Sequence, residues 1–396
     1  MSYQVVVVGA GPGGSTAAHF LARSGIEVLL LDKKRFPRDK ACGDGQVRSI
    51  QPLFKEMGIY EAIRAQARIL RGASFGSPSG AYHSFATPDR EIFCTPRIVI
   101  DDIIRRSAVE RGAHFRDCFT VGELVTARGR VTGLRGREEG RNIEISCEAV
   151  VVADGARSRL AAQLGFGTAG PEHLFLGVRA YFDDVQGLSD TMEFIYPDPL
   201  FFPGGYLWIF PVTDSRANVG VFISTGALRR SGRSLKSLIP WSVERSAIVK
   251  ARLREARQAS PLKGSILPTY PSAGDNYAAG AVVVGDAGSM VEPLFGSGLP
   301  QAMTAGQIAA EVITRALSKG DVSAESLSPY KQRINETMGP AYALSATVRK
   351  HLFSDPKDLE AYLAEVNRGD DPVLLNRGAN ETMVHYLKKY KGVQIA

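Results

Sequence analysis

The stretch QVVVVGAGPGGSTAAHFLARSGIEVLLLDKK, residues 4–34, sets the architecture. Its run Val5–Val8 reads as a buried strand ending at Gly9, and the Ala-rich segment to Ser24 reads as a helix closed by Gly25. Between them Gly9, Gly11 and Gly14 make G-x-G-x-x-G, with Gly13 in the same turn. The first glycine permits the turn and the second lets backbone approach a pyrophosphate, while the helix start offers free N–H groups and a positive dipole end. A second strand, Val28 to Leu31, delivers Asp32 eighteen residues past Gly14, where an acid takes ribose hydroxyls, and Lys33 follows it. Strand, turn, helix, strand and acid together predict an α/β domain that binds a dinucleotide.

The far end of the chain selects which one. AVVVGDAGSMVEPLFGSGLPQAMTAG (281–306) reads as a buried strand, then Gly285-Asp286, then a glycine-rich turn and a helix of small residues to about Ala316. An acid at a strand's C-terminal end, followed by a second helix N-terminus, suits a ribityl hydroxyl and further phosphate, contacts that a flavin dinucleotide fills. FAD is therefore the expected cofactor. A second G-x-G-x-x-G is absent, so an electron donor such as NAD(P)H, or a redox protein, is expected to dock transiently. Two middle segments agree. TPRIVIDDIIRRSAVERG (95–112) places Arg97 just ahead of a helix with Val99, Ile100, Ile103 and Ile104 at helical spacing, and EAVVVADGARSRL (148–160) is another strand running into Asp154-Gly155.

Composition sets the frame. With 396 residues, 44% of them apolar and 22% charged, the chain is an enzyme-sized globular protein of one elaborated domain or two. Its four cysteines, Cys42, Cys94, Cys118 and Cys147, form no CxxC and adjoin no His cluster, which argues against a metal site and a disulfide framework. The opening MSYQVVVV lacks a signal-peptide pattern and no stretch reads as a membrane span, so the expectation is a cytoplasmic protein. A net charge of +7, with basic groups at 229–236 and 385–392 but no nucleic-acid motif, leaves peripheral contact with an anionic membrane surface as an option and predicts no nucleic-acid partner.

In order, GAGPGG, Arg97 with Asp101 four residues on, ADGARS and GDAGSMVEPLFGSG resemble the FAD-dependent oxidoreductases of the p-hydroxybenzoate hydroxylase fold. PRDKACGDG (37–45) and YLWIFP (206–211) narrow the resemblance to the geranylgeranyl reductase family, which saturates isoprenoid double bonds in archaeal lipids, chlorophyll side chains and menaquinone. Spanning roughly residues 3–320, the resemblance implies a Rossmann-type FAD-binding domain with an inserted β-rich substrate domain and a C-terminal helical segment. It puts Gly14, Asp32, Cys42, Gly43, Arg97, Asp286, Gly298 and Leu299 where the family contacts FAD, with Val121 near the adenine. Asp154, Gly285 and Gly296 belong to the same motifs. One departure stands out: a Thr-Gly-Glu-Gly-Ile-like turn is common in the family, whereas Phe295-Gly296-Ser297-Gly298-Leu299 carries no acid and leaves Pro300-Gln301 ahead of the helix.

Cys42 lies in KACGDGQ (40–46), a loop that Gly43 and Gly45 should make flexible. In the family a cysteine at this point lies near the flavin. Saturating an unactivated alkene needs a proton on one carbon as hydride reaches the other, and Cys42 is the candidate catalytic residue for that proton, although a thiol is a weak acid for the task. Alternation in YLWIFP puts Tyr206, Trp208 and Phe210 on one face, an aromatic wall suited to an apolar or lipid substrate, with Leu207 and Ile209 facing away. The expected partition is an FAD domain of 1–70, 97–170 and 270–325, a substrate domain of 71–96 and 171–269, and a helical, polar remainder at 326–396. The expected function is FAD-dependent reduction of carbon–carbon double bonds in a prenyl lipid or quinone side chain. The alternative is a flavin monooxygenase or halogenase acting on an apolar or carrier-bound substrate. Halogenases of this fold typically carry Trp-x-Trp-x-Ile-Pro and Gly-Glu-Ser, and this chain has YLWIFP and CGDG in those places. A non-catalytic flavoprotein would leave an apolar cleft unused.

Overall fold

The computed structural model describes every residue except 1, 88, 167–169, 272, 273, 376 and 396. Strand Ser2–Val8 lies inside an eight-stranded sheet, in the order Tyr277–Ala278, Ala281–Val283, Arg141–Val152, Ser2–Val8, Val28–Leu31, His114–Arg116. The pairings from Ala281–Val283 across to His114–Arg116 are all parallel. Both faces are covered, which is why Val5–Val8, Val28–Leu31, Ala149–Val152 and Ala281–Val283 are apolar throughout, whereas the earlier part of Arg141–Val152 and the edge strand His114–Arg116 are not. Val5 and Val7 pack on helices Pro12–Arg23, Arg97–Glu110 and Leu299–Ser318. Val6 and Val8 pack on residues of the antiparallel strands Thr120–Ala127, Arg130–Glu138 and Arg141–Val152.

The two nucleotide-end helices meet closely because small residues line their contact. A Cβ on Gly13 would come 2.9 Å from the Ala302 carbonyl oxygen, and one on Gly306 would collide with the carbonyl of Gly13. This packing fixes the start of both helices beside the ends of strands Ser2–Val8 and Ala281–Val283. Parallel α/β sheets open their crevice at these strand ends.

A second sheet runs Arg257–Gln258, Leu174–Asp183, Ala217–Ser224, Tyr206–Pro211, Thr191–Ile195, Gly72–Gly76, Tyr82–Ala86, with Lys263–Pro268 also on Leu174–Asp183. A small third sheet joins Gly45–Gln46, Ile92–Cys94 and Arg68–Leu70. Thus the segment just after Cys42 is hydrogen-bonded into a sheet.

The described residues beyond 326 are mostly helical but not a polar remainder. Helix Pro356–Arg368 buries Leu359, Tyr362, Leu363 and Val366, the i, i+3, i+4, i+7 stripe of an amphipathic helix. Tyr362 stacks on Phe85 of the second sheet, and Phe353 packs on Tyr196 and Phe295. Charged residues between the apolar positions hide that stripe when the segment is read only for composition.

Candidate active site

The wall and the cysteine loop meet directly. Tyr206, Trp208 and Phe210 line one cleft together with Cys42, Gly43, Asp44 and Arg97. Leu207 and Ile209 point the other way and are also fully buried, so the sheet's far face is core. A Cβ on Gly43 would sit 2.9 Å from Cε2 of Phe210, and one on Gly45 2.7 Å from Sδ of Met192. Flexibility is not what these glycines provide; Gly43 lets the loop press against the aromatic wall and Gly45 lets it press against Met192. The residue in the left-handed region is Asp44, with φ of 67°.

Asp44 ties the loop down. Its side chain is fully buried, and Oδ2 accepts hydrogen bonds from the Tyr181 hydroxyl and from Asn218 Nδ2, each at 2.6 Å. Oδ1 accepts the Arg97 backbone N–H at 3.2 Å. Asn218 Nδ2 also donates to the Cys42 carbonyl at 2.7 Å, and its Oδ1 accepts from Trp208 Nε1 at 2.9 Å. Burial pushes the Asp44 carboxyl up to about 6, against the pull of Tyr181, Asn218, Arg179 and Arg97. Sequence reading missed Asp44, Asn218 and Tyr181 as site residues. A carboxyl flanked by two glycines beside the candidate cysteine was the only available signal.

Cys42 itself is half-buried and free. The Asp44 N–H lies 3.4 Å from its sulfur, and the Arg97 guanidinium lies against it. Arg97 is the first residue of helix Arg97–Glu110 rather than the one before it, because Pro96 is the N-cap. Its Nε and Nη2 donate to Asp101 at 2.6 and 2.9 Å. Arg38 extends this network from Asp101 to Asp32, at 3.0 and 3.4 Å, and was not anticipated.

The residues present fit FAD. Helix Pro12–Arg23 starts without a side-chain cap, so its first N–H groups are free for phosphate. A Cβ at Gly14 would collide with the Gly9 carbonyl, and Gly9 has φ of 105°, so both hold the turn's shape while Gly11 faces Arg38. Asp32 accepts the Ala10 N–H at 3.0 Å at the end of its strand. Across the sheet, Gly285 has positive φ and Asp286 takes an ion pair from Lys40 at 2.7 Å. Burial opposes charge on Asp286, but the Lys40 ammonium outweighs it and holds the carboxyl below its ordinary range. Gly298 is the N-cap and Leu299 the first residue of helix Leu299–Ser318. Pro300 is therefore inside that helix, where its missing N–H costs nothing. Gly296, with positive φ, lies against the Phe222 ring.

Asp154 has an oxygen, Oδ1, that is buried with no partner, and burial raises its pKa. It stands at the end of the central strand Arg141–Val152 near the exposed Lys33, a polar atom awaiting a ligand. Val121 is set apart from the cleft on strand Thr120–Ala127, two residues past Phe119, whose N–H donates to the Asp32 carbonyl. Among the described residues no group of three or more His, Cys, Asp or Glu could hold a metal ion.

Comparisons with known proteins agree with the fold and with FAD as the cofactor. The family described as FAD binding domain matches residues 2–337. Digeranylgeranylglycerophospholipid reductase 2 of Methanothermobacter thermautotrophicus is 31% identical over 393 residues, covering 98% of this chain and 97% of that protein. Menaquinone reductase of Mycobacterium tuberculosis is 31% identical over 325 residues, covering 79% and 76%. A geranylgeranyl bacteriochlorophyll reductase-like structure from Thermoplasma acidophilum superposes with a TM-score of 0.85 at 21% identity, covering 98% and 97%.

Proposed function

Because the chain belongs to the geranylgeranyl reductase family of FAD-dependent oxidoreductases, we propose that it saturates carbon–carbon double bonds of a prenyl chain carried by a lipid or quinone. The observation that carries this reading is the contact between the Cys42 loop and the aromatic wall of Tyr206, Trp208 and Phe210, which makes an apolar cleft beside the strand ends suited to FAD. Gly9, Gly11, Gly13, Gly14, Asp32 and Asp286 would hold the cofactor at the ends of the parallel strands. When bound and reduced there, FAD would supply a hydride for one alkene carbon, with electrons drawn from NAD(P)H or a redox protein.

The protein's own part is to exclude water, hold the chain and deliver a proton to the other carbon. The wall supplies the apolar surface, and Cys42 Sγ is the candidate proton donor, held by the Asp44 N–H and the Arg97 guanidinium. No helix among the described residues is long and apolar enough to cross a membrane. A net charge of +7 suits contact with an anionic membrane surface where such a substrate resides.

The test is anaerobic turnover of chemically reduced enzyme with geranylgeranyl lipid. The expected product is heavier by two hydrogens per double bond. Cys42→Ala should keep its FAD and accept electrons yet turn over about 10²- to 10⁴-fold more slowly. Strict dependence on oxygen, with a hydroxylated or halogenated product, would replace the reductase reading.

A further inference from the structure

The cleft has two unlike ends. Phe194 and Phe295 line one, each buried or half-buried among further aromatic rings. At the other, strand Leu174–Asp183 brings Arg179 to the wall, where Lys40 also lines the cleft and Asp39 and Lys263 gather around the guanidinium. This end opens to water: the Lys40 and Lys263 side chains are 35% and 44% exposed.

Arg179 is itself only 1% exposed. Its Nη2 donates to Asp39 Oδ1 at 2.5 Å and to the Lys40 carbonyl at 3.3 Å, and the guanidinium carbon lies 4.6 Å from the centre of the Tyr181 ring. Nε and Nη1 have no acceptor. Asp39 must also serve Lys263, whose Nζ lies 2.5 Å from Oδ2, so two cations share one carboxylate. Lys40 is committed to Asp286, and the nearby Asp44 is saturated by Tyr181, Asn218 and the Arg97 N–H. A buried guanidinium with two idle nitrogens is unfavourable until a ligand completes it, and its planar fork matches phosphate.

We propose that Arg179 binds a phosphate oxygen on the head group of the prenyl substrate. This rests on the prenyl-reductase reading and deepens it: the substrate class is a phosphate-bearing prenyl lipid, held with its head at the Arg179–Lys263 end and its tail toward Phe194 and Phe295. A neutral prenyl quinone makes no use of that end. The diphosphate of a nicotinamide donor carries the same chemistry, so the experiment must separate the two sources.

FAD-replete wild type and Arg179→Gln are titrated with geranylgeranyl monophosphate and with geranylgeraniol, following flavin absorbance and tryptophan fluorescence. Arg179→Gln should weaken the monophosphate roughly 10- to 100-fold and leave the alcohol nearly unchanged. Equal losses for both ligands, or no loss, overturn the assignment. So does an unchanged monophosphate affinity with slower anaerobic flavin reduction by NADH or NADPH, which would give the phosphate to the donor. Should the variant lose FAD or fail to fold, wild-type holoenzyme decides: inorganic pyrophosphate must displace the monophosphate and not the alcohol, and failure to do so sinks the proposal. Wild type that bound neither prenyl ligand would remove the prenyl reading along with it, whereas binding of both without discrimination removes the phosphate assignment alone.

Discussion

Asp44 shows what one buried carboxyl does to the whole molecule. Its folded-state pKa of about 6 lies above the ordinary 3.8, so between those values the folded protein holds a proton that the unfolded chain has released. Stability contributed by this group is present below about pH 4 and is lost as pH rises through 6, by on the order of 3 kcal/mol. Asn at this position keeps an oxygen for Tyr181 and Asn218, turns its amide nitrogen toward the Arg97 N–H, and has no proton to lose. Asp44→Asn should therefore flatten the decline: urea unfolding between pH 4.5 and 7 is expected to show the wild type losing stability relative to the variant. A parallel pair of curves would mean that Asp44 is not the titrating group. CGDG was legible as a motif, and its cysteine drew the functional reading. The carboxyl's importance was not legible, because its partners Tyr181 and Asn218 lie 137 and 174 residues away.

At the scale of elements, the loop after Asp32 and the strand Tyr206–Pro211 form one surface. Gly43→Ala would drive a Cβ to 2.9 and 3.0 Å from two carbons of the Phe210 ring, which packs against the rings of Phe194 and Trp208. The expected cost is about 1–3 kcal/mol. Because the displaced ring belongs to the cleft, prenyl-ligand affinity should fall with it. Gly339→Ala is the control: that helical glycine has nothing within 4 Å of an added Cβ, so alanine should be neutral or stabilising by roughly 0.5–1 kcal/mol. Thermal melts of both variants, with ligand titrations, check the pair. Strand alternation in YLWIFP foretold which three rings share a face. It could not foretell that Gly43 is demanded by the Phe210 ring and Gly45 by Met192, rather than either by loop flexibility.

Across the whole molecule, the C-terminal helices and the glycine-rich turn after Asp286 are one packed unit. Phe353, fully buried, contacts Phe75 and Tyr196 of the second sheet region and Phe295 of the turn, while Tyr206 donates its hydroxyl to the Phe295 carbonyl at 2.5 Å. Arg349, from helix Pro329–Leu352, reaches the Pro293 and Pro203 carbonyls, both at 3.5 Å. Phe353→Ala should cost about 3–5 kcal/mol and, by loosening the turn that leads to Gly298, accelerate loss of FAD. Measuring the melting temperature and flavin release on dilution checks both. Lower stability with unchanged flavin release would show that the helices support the second sheet without bracing the cofactor turn.

The sequence alone determined the parallel strands, the glycine turn with its helix, Asp32 and Asp286 at strand ends, and the face shared by Tyr206, Trp208 and Phe210. These are local: each follows from a repeat of two or 3.6 residues, or from glycines at fixed spacing. Tertiary structure alone decided that Asp44 is locked by Asn218 and Tyr181, that Arg38 links Asp32 to Asp101, that Arg179 is buried with two idle nitrogens, and that the last helices close over the aromatic core. Such facts depend on which distant strands become neighbours. A polar side chain's partner across a cleft has no periodicity along the chain, so nothing in the spacing of residues encodes it.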